Sequence, residues 1–232
     1  MKDIKEMYEG KPVFVVANSD ELEEAVQAYP EELEEPYVVR VPGGEDRYVE
    51  EEAFAFDQTI GVLLIGEDVE EIGEGAFRTC GRLTHVEMGN SVISIGKAAF
   101  NECYNLQSIC LSQSLKEIGV GAFENCGKLD SITIPDSVEI IMNAAFRSCK
   151  SLKEFTFPRS LIGVGSWLFE GCEALESIRA AEGNSTFDSR NDCNALIVTR
   201  ENVLLFGCRN TVIPDSVTAI GISAFEDFSG LA

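Results

Sequence analysis

The chain has 232 residues, 45% of them hydrophobic, with 40 acidic residues against 18 basic ones and a formal net charge of −22. Such a field repels phosphate backbones and anionic membrane surfaces, which argues against nucleic acid as a partner and leaves solubility as the first reading of the charge, a cationic partner as the second. No run reaches the length of about 18 apolar residues that a membrane-spanning helix needs, so no membrane insertion is expected.

Residues 1–52 do not repeat. The opening Met1-Lys2-Asp3-Ile4-Lys5-Glu6-Met7-Tyr8-Glu9-Gly10 lacks the apolar core of a signal peptide. By that sign the protein stays in the cytoplasm or the chain is a trimmed piece. Val13-Phe14-Val15-Val16 reads as a short buried strand. Asn18-Ser19-Asp20-Glu21 offers a helix start, with Leu22, Ala25, Val26 and Tyr29 on one face. Pro30 interrupts it, and residues 31–35 form an acidic turn or a second short helix before Pro36. Tyr37 to Val41 is a second strand, stopped by Pro42-Gly43-Gly44. Residues 1–52 are therefore expected to be a strand–helix–strand cap for the rest of the chain, fused to a worn first repeat. Ala53-Phe54 marks that repeat, with Asp57 and Ile60 where later copies carry Cys and Leu.

From there the chain repeats itself. Ala76-Phe77-x-x-Cys80-x-x-Leu83 returns at Ala99, Ala122 and Ala145, and a fifth time with Leu168 in place of Ala. Phe77, Phe100, Phe123, Phe146 and Phe169 are 23 residues apart, as are Cys80, Cys103, Cys126, Cys149 and Cys172. A fixed period of this size marks stacked units, each burying its apolar face on the next, so residues 53–232 are expected to be one solenoid. Within a repeat, Leu129, Ile132 and Ile134 match Leu83, Val86 and Met88, and Leu106, Ile109 and Leu111. Their alternation makes a strand with these side chains inward. Pro135, Pro158 and Pro214 end strands by removing a ladder donor. Gly73, Gly96, Gly119 and Gly165 suit a tight corner with unusual backbone angles, a column broken by Met142. Ala-Phe-x-x-Cys has the spacing of one helical turn, with Phe and Cys on one face. The expected fold is an α/β solenoid: a stack of parallel strands with short helices on the opposite side.

These motifs resemble the BspA-type leucine-rich repeat over roughly residues 53–231. The Leu-x-x-Ile-x-Ile core is common to leucine-rich repeats, while Ile-Pro-Asp-Ser-Val at 134–138 and 213–217 and the Ala-Phe-x-x-Cys turn mark the subtype. Ordinary leucine-rich repeats carry Asn eight residues after the first Leu, where Ser91, Ser114, Ser137 and Ser160 stand here. The resemblance implies protein binding without catalysis, and secreted or cell-surface proteins of anaerobic bacteria that adhere to host proteins. An intracellular interaction scaffold is the alternative.

The period fails once, between Phe169 and Phe225. Ala195 to Thr199 and Asn202 to Phe206 read as a β-hairpin replacing the usual helix, an insertion at about 187–208. Asp188, Asp192 and Asn194 have acidic spacing but no EF-hand glycine, which favours a solvated turn over calcium. Phe228 stands at the last Cys position as a larger plug, and the protein is expected to be a monomer or a weak dimer through its C-terminal end.

Five cysteines at one repeat position point the same way. On helices about 8–10 Å apart they cannot bridge and cannot converge on one zinc, so buried reduced thiols are expected. No phosphate loop, zinc signature or nucleophile elbow is present, and no cofactor is implied. One arrangement tests the catalytic alternative. Across neighbouring rungs Glu87 should sit about 4.8 Å from Cys110 and His85 about 8 Å from it. A Cys–His pair can make a nucleophile, yet the neighbouring carboxylate disfavours the thiolate. A thiol hydrolase at Cys110 and His85 is therefore the remote reading. The outward strand positions are the candidate protein-binding face: Val62 and Leu64, His85 and Glu87, Ser108 and Cys110, Ser131 and Thr133, Glu154 and Thr156. Small side chains there suit an extended protein segment, with Val62 and Leu64 as its apolar anchor.

Overall fold

The computed structural model describes residues 10–29 and 36–225. The opening residues, the acidic stretch 30–35, Phe228 and the C-terminal end lie outside the described residues.

Alternating inward and outward side chains build a front ladder of parallel strands. It runs through Val13–Val15, Tyr37–Val41, Ile60–Ile65, His85–Met88 and Ser108–Cys110. The first two strands flank the helix Ser19–Gln27, so this segment adds two rungs to the same sheet. Asn18 caps that helix by accepting the Glu21 N–H, and the Glu21 carboxylate returns to accept the Ala17 N–H. Leu22 is buried, with Ala25 and Val26 packed on the core.

A second ladder of two-residue strands lies across the core: Tyr48–Val49, Glu71–Ile72, Ser94–Ile95, Glu117–Ile118, Ile140–Ile141 and Gly163–Val164. The glycines beside it are needed for close approach rather than for unusual angles. A Cβ on Gly119 would come within 2.7 Å of the Gly96 carbonyl carbon, and one on Gly96 within 2.7 Å of that of Gly73.

The expected short helices are not formed. The only α-helix among the described residues is Ser19–Gln27. Each Ala-Phe-x-x-Cys segment is a turn bracketed by left-handed residues: Gly75, Ala98, Gly121, Ala144 and Trp167 before it, and Thr79, Glu102, Asn125 and Ser148 within it. A left-handed residue costs an L-amino acid about 1–2 kcal/mol inside a helix and stops its propagation. The N–H groups go to the next repeat instead. Phe77, Phe100 and Phe123 donate to the carbonyls of Ala99, Ala122 and Ala145, each at 2.8 Å. The back of the solenoid is thus a third ladder, made of turns.

Between these ladders lies the core. Phe54, Phe77, Phe100, Phe123 and Phe146 are fully buried and stack ring on ring, with centroids 5.3–5.5 Å apart and planes within 13°. Beside them each row thiol donates to the Phe carbonyl of the preceding repeat. Cys103 reaches Phe77 at 3.2 Å, Cys126 reaches Phe100 at 3.3 Å and Cys149 reaches Phe123 at 3.2 Å. The same places and bonds hold for Cys80 and Cys172. All eight cysteines are free, and all but Cys110 are buried. At the worn first repeat Asp57 holds the Ser19 hydroxyl and the Thr59 N–H and hydroxyl, tying the helix start to the array.

The regular stack ends at Phe155 and Phe157, which fill inward positions held by aliphatic residues in the earlier rungs. Their rings pack on Phe146 and Phe169, and the ring column widens there to 6.5 Å. The front strand Glu154–Phe157 pairs with Ser177–Ala180 as a separate sheet. Beyond it Ala195–Val198 and Val203–Gly207 form an antiparallel pair, flanked by Phe187–Asp188 and Ala219–Ile220. Arg190 ties this unit together: it grips the Asp188 carboxylate with two nitrogens and reaches the Asn202 side chain at 2.7 Å.

Candidate functional site on the front face

The front face is set by strand register. Val62 pairs with His85 and Leu64 with Glu87; His85 then pairs with Ser108 and Glu87 with Cys110. Further on, Glu154 pairs with Ser177 and Thr156 with Arg179. The outward columns thus extend past the ten expected positions, to Val38 and Arg40 at one end and Ser177 and Arg179 at the other.

Between the two front sheets one rung is open. Ser108 N–H donates to the Thr84 carbonyl at 3.3 Å, whereas the equivalent Ser131 N–H has no acceptor among the described residues. Residues 131–134 pair with neither neighbouring strand, and their N–H groups have no hydrogen-bond partner among the described residues. One bond survives at the entry, from Lys153 N–H to the Asp130 carbonyl at 3.2 Å. Nothing in Ser131-Ile132-Thr133-Ile134 departs from its neighbours' alternation. The next rung carries two aromatic rings, Phe155 and Phe157, where the earlier rungs carry aliphatic side chains.

A cleft of about 1250 Å³ opens over this rung. It brings together His85, Glu87, Ser108, Cys110, Ser131 and Thr133, six of the ten expected residues. Glu154 and Thr156 stand on the strand beyond and do not line it. Val62 and Leu64, the expected apolar anchor, do not line it: at 8% and 6% exposure they form a small apolar cluster with Val38. Residues not anticipated join the lining instead, above all Lys128, Lys150 and Lys153. Their signal in the sequence is faint, since lysines at the edges of a strand read as solvated surface. Lys153 lies 3.7 Å from Asp130 and Lys150 lies 3.2 Å from Glu173, all well exposed. Such pairs are weak in water and leave the ammonium groups accessible.

The chemistry of the cleft does not favour a nucleophile. Burial and then the Glu87 charge push the Cys110 thiol above its ordinary value, which disfavours the thiolate. Burial pushes His85 down, and its Nδ1 is engaged with the Thr84 hydroxyl at 2.7 Å. One Glu87 oxygen is buried without a hydrogen-bond partner among the described residues. At the expected acidic turn, the Asp188 carboxylate is occupied by Arg190, and no group of three or more metal-ligating side chains gathers among the described residues.

Parallel rungs at a 23-residue period, with Leu83, Leu106, Leu129 and Leu152 buried at one repeat position, define a leucine-rich-repeat solenoid. The chain belongs to the BspA-type leucine-rich repeat family, whose region model matches residues 70–194 in six copies. Among solved structures it is similar to the T. pallidum leucine-rich repeat protein, at 27% identity and TM-score 0.57, covering 75% of this chain and 73% of that one. The pneumococcal vaccine antigen PcpA matches at 24% identity and TM-score 0.64, covering 72% of this chain and 42% of that one. A leucine-rich cell surface protein of Faecalibacterium prausnitzii matches at 23% identity and TM-score 0.51, covering 82% and 62%. The chain therefore spans less than two thirds of the length of these last two. No curated protein matches. Leucine-rich repeat proteins of this kind are binding modules, which points to a protein-binding role. No helix among the described residues is long and apolar enough to cross a membrane.

Proposed function

We propose that this chain is a non-catalytic protein-binding module whose ligand lies along the front face, centred on the open rung at Ser131 and Thr133. The observation that carries this reading is the coincidence, at one level of the solenoid, of a cleft of about 1250 Å³ with the only front rung from Tyr37 to Phe157 whose backbone is left unpaired among the described residues. Away from this rung and the two strand edges that face it, the front backbone of that stretch is paired in its own ladder. In its finer form the ligand is a host or matrix protein met at a cell surface, as the family resemblance implies.

The test is capture of partners from host serum and cell extract by the immobilised protein and by a Ser108→Arg, Thr133→Arg variant. Both positions face outward and neither contributes to the core, so the melting temperature should hold while the captured set is lost. An unchanged captured set sinks the reading. Loss only when the 195–207 hairpin is shortened moves the site to that hairpin.

A further inference from the structure

We infer that the open rung is a hinge: the two front sheets turn about the continuous back of the solenoid, widening and narrowing the cleft between them. Three observations on the front and one on the back point to it.

The front is unfastened at this level. The sheet from Val13–Val15 to Ser108–Cys110 and the pair Glu154–Phe157 with Ser177–Ala180 share no ladder bond through residues 131–134. A second fastening fails at the same place. Beside the front strands, each repeat offers a side chain to the backbone of the next. Asn90 N–H donates to the Glu67 carboxylate at 2.7 Å, Gln113 N–H to the Asn90 side-chain oxygen at 3.5 Å, and Arg159 N–H to the Asp136 carboxylate at 3.1 Å. The step from Gln113 to Asp136 is missing among the described residues. Packing loosens there too. Ile132 points inward and is only partly buried, whereas Val86, Ile109, Phe155 and Ile178 at the same repeat position are buried. Ile109, Leu111 and Ile132 line the cleft, so the gap reaches the core.

The back and side stay fastened across this level. Glu139 and Met142 N–H groups donate to the Lys116 and Ile118 carbonyls, both at 2.9 Å, and Phe123 N–H to the Ala145 carbonyl at 2.8 Å. The rings of Phe100, Phe123 and Phe146 stack 5.5 Å apart through it. A stack fastened along two ladders and released along the third has one soft motion, rotation about the fastened side. Elsewhere the front ladder and a close-packed interior oppose that rotation. Here both are weakened, and a few residues with few backbone bonds and few core contacts are where local stability is lowest and hinges form. The cleft is the mouth of this hinge, so its width follows the angle between the two sheets.

Distances between thiol-bound spin labels, measured by pulsed electron spin resonance on the full chain without ligand, test this. Of the eight cysteines only Cys110 is exposed, so it takes a label and the buried thiols do not. Thr156→Cys places a second label two repeats on, across the open rung. Arg40→Cys places one three strands back, across paired rungs only. Val120→Cys with Ser166→Cys, in a Cys110→Ser background, spans the same level on the back. All these side chains are exposed, so the variants are expected to fold, and unchanged melting temperatures check that. The Cys110–Thr156 distance distribution is expected to be about twice as wide as either reference, although the Arg40 pair spans one more rung. A Cys110–Thr156 distribution no wider than that of Arg40–Cys110 overturns the hinge. So does a Val120–Ser166 distribution as wide as that of Cys110–Thr156, because the array would then be loose on every side. A rigid front would leave the front-face reading to its own capture test, since no ligand enters this measurement.

Discussion

The back and front of this solenoid are built from the same repeats and differ in what they tolerate. On the back, every turn from Phe54 to Phe146 places its ring, its cysteine or aspartate and its left-handed residue at equivalent positions, and the inter-turn bonds hold near 2.8 Å. On the front, side chains vary from rung to rung and one rung has lost its ladder altogether. The array therefore draws its cohesion from the Phe column, the thiol bonds and the back turns, and the front is free to be modified for a ligand. Stability in such an array is close to a sum over neighbouring interfaces, so each side can be tested by substitutions at one repeat level.

The largest expected effect is on the back. Phe123 stacks on both Phe100 and Phe146, at 5.5 Å on either side. Phe123→Ala should destabilise by about 3–5 kcal/mol. Because two interfaces are damaged, denaturant melting is expected to separate into two steps, one for each half of the array. A loss below about 1 kcal/mol would place cohesion elsewhere and erase the contrast between the two sides.

Next comes the thiol row. Cys126→Ala removes a small buried group and its bond to the Phe100 carbonyl, and should cost about 1–2 kcal/mol by chemical denaturation. Native thiol titration should register Cys110 quickly and the seven buried thiols only after unfolding. Fast native labelling of Cys103, Cys126 or Cys149 would contradict the packing.

The same thiols give a pH signature. Burial pushes Cys103 and Cys172 up to about 12, and Cys80, Cys126 and Cys149 also well above the ordinary thiol value of 9.0. The folded state thus holds these protons more tightly than the unfolded chain does. That contribution is fully present below the unfolded thiol value and is lost as pH rises from about 9 towards 12. Thermal melts across this window should fall steeply, and more shallowly in Cys126→Ala. Asp188 has the opposite sign. Burial works against its charge, but the Arg190 hydrogen bonds outweigh it and hold the carboxyl below its ordinary value. Its contribution is present above the ordinary carboxylate range and lost as pH falls through the lowered value.

How far the sequence reaches is clear from these particulars. The Phe and Cys columns are legible because a 23-residue period leaves one way to superpose them. The register of His85 on Ser108 and Glu87 on Cys110 is legible because alternation and period together fix it. The back turns read as helices because i, i+3 spacing suits both, and left-handed Thr79, Glu102 and Ser148 carry no glycine to announce the difference. The glycine column is visible in the sequence but its reason is not: carbonyl packing against the next rung is a property of the stack. Val62 and Leu64 face outward as expected, yet an outward position is not an exposed one when Val38 lies beside it. The open rung is illegible in its own residues, whose alternation matches that of the paired rungs on either side.

The smallest expected effect lies at that rung, and it separates the two sides most sharply. Ser108 and Ser131 occupy the same repeat position, face outward and differ in one respect: Ser108 N–H is bonded to the Thr84 carbonyl and Ser131 N–H is not. Proline removes the N–H in both cases and imposes the same restriction on φ. Ser108→Pro should therefore lose one ladder bond while the Thr84 carbonyl keeps the Gln107 N–H at 2.9 Å, at a cost larger than that of Ser131→Pro by about 0.5–1.5 kcal/mol. Hydrogen exchange reads the same difference without substitution, with Ser131 and Thr133 amides exchanging far faster than the amides of Phe100 and Phe123 on the back. Equal costs for the two prolines, together with protected amides at 131 and 133, would mean that the front ladder is closed in solution. The cleft would then be an ordinary rung, and its backbone groups would already be spent on the neighbouring strand.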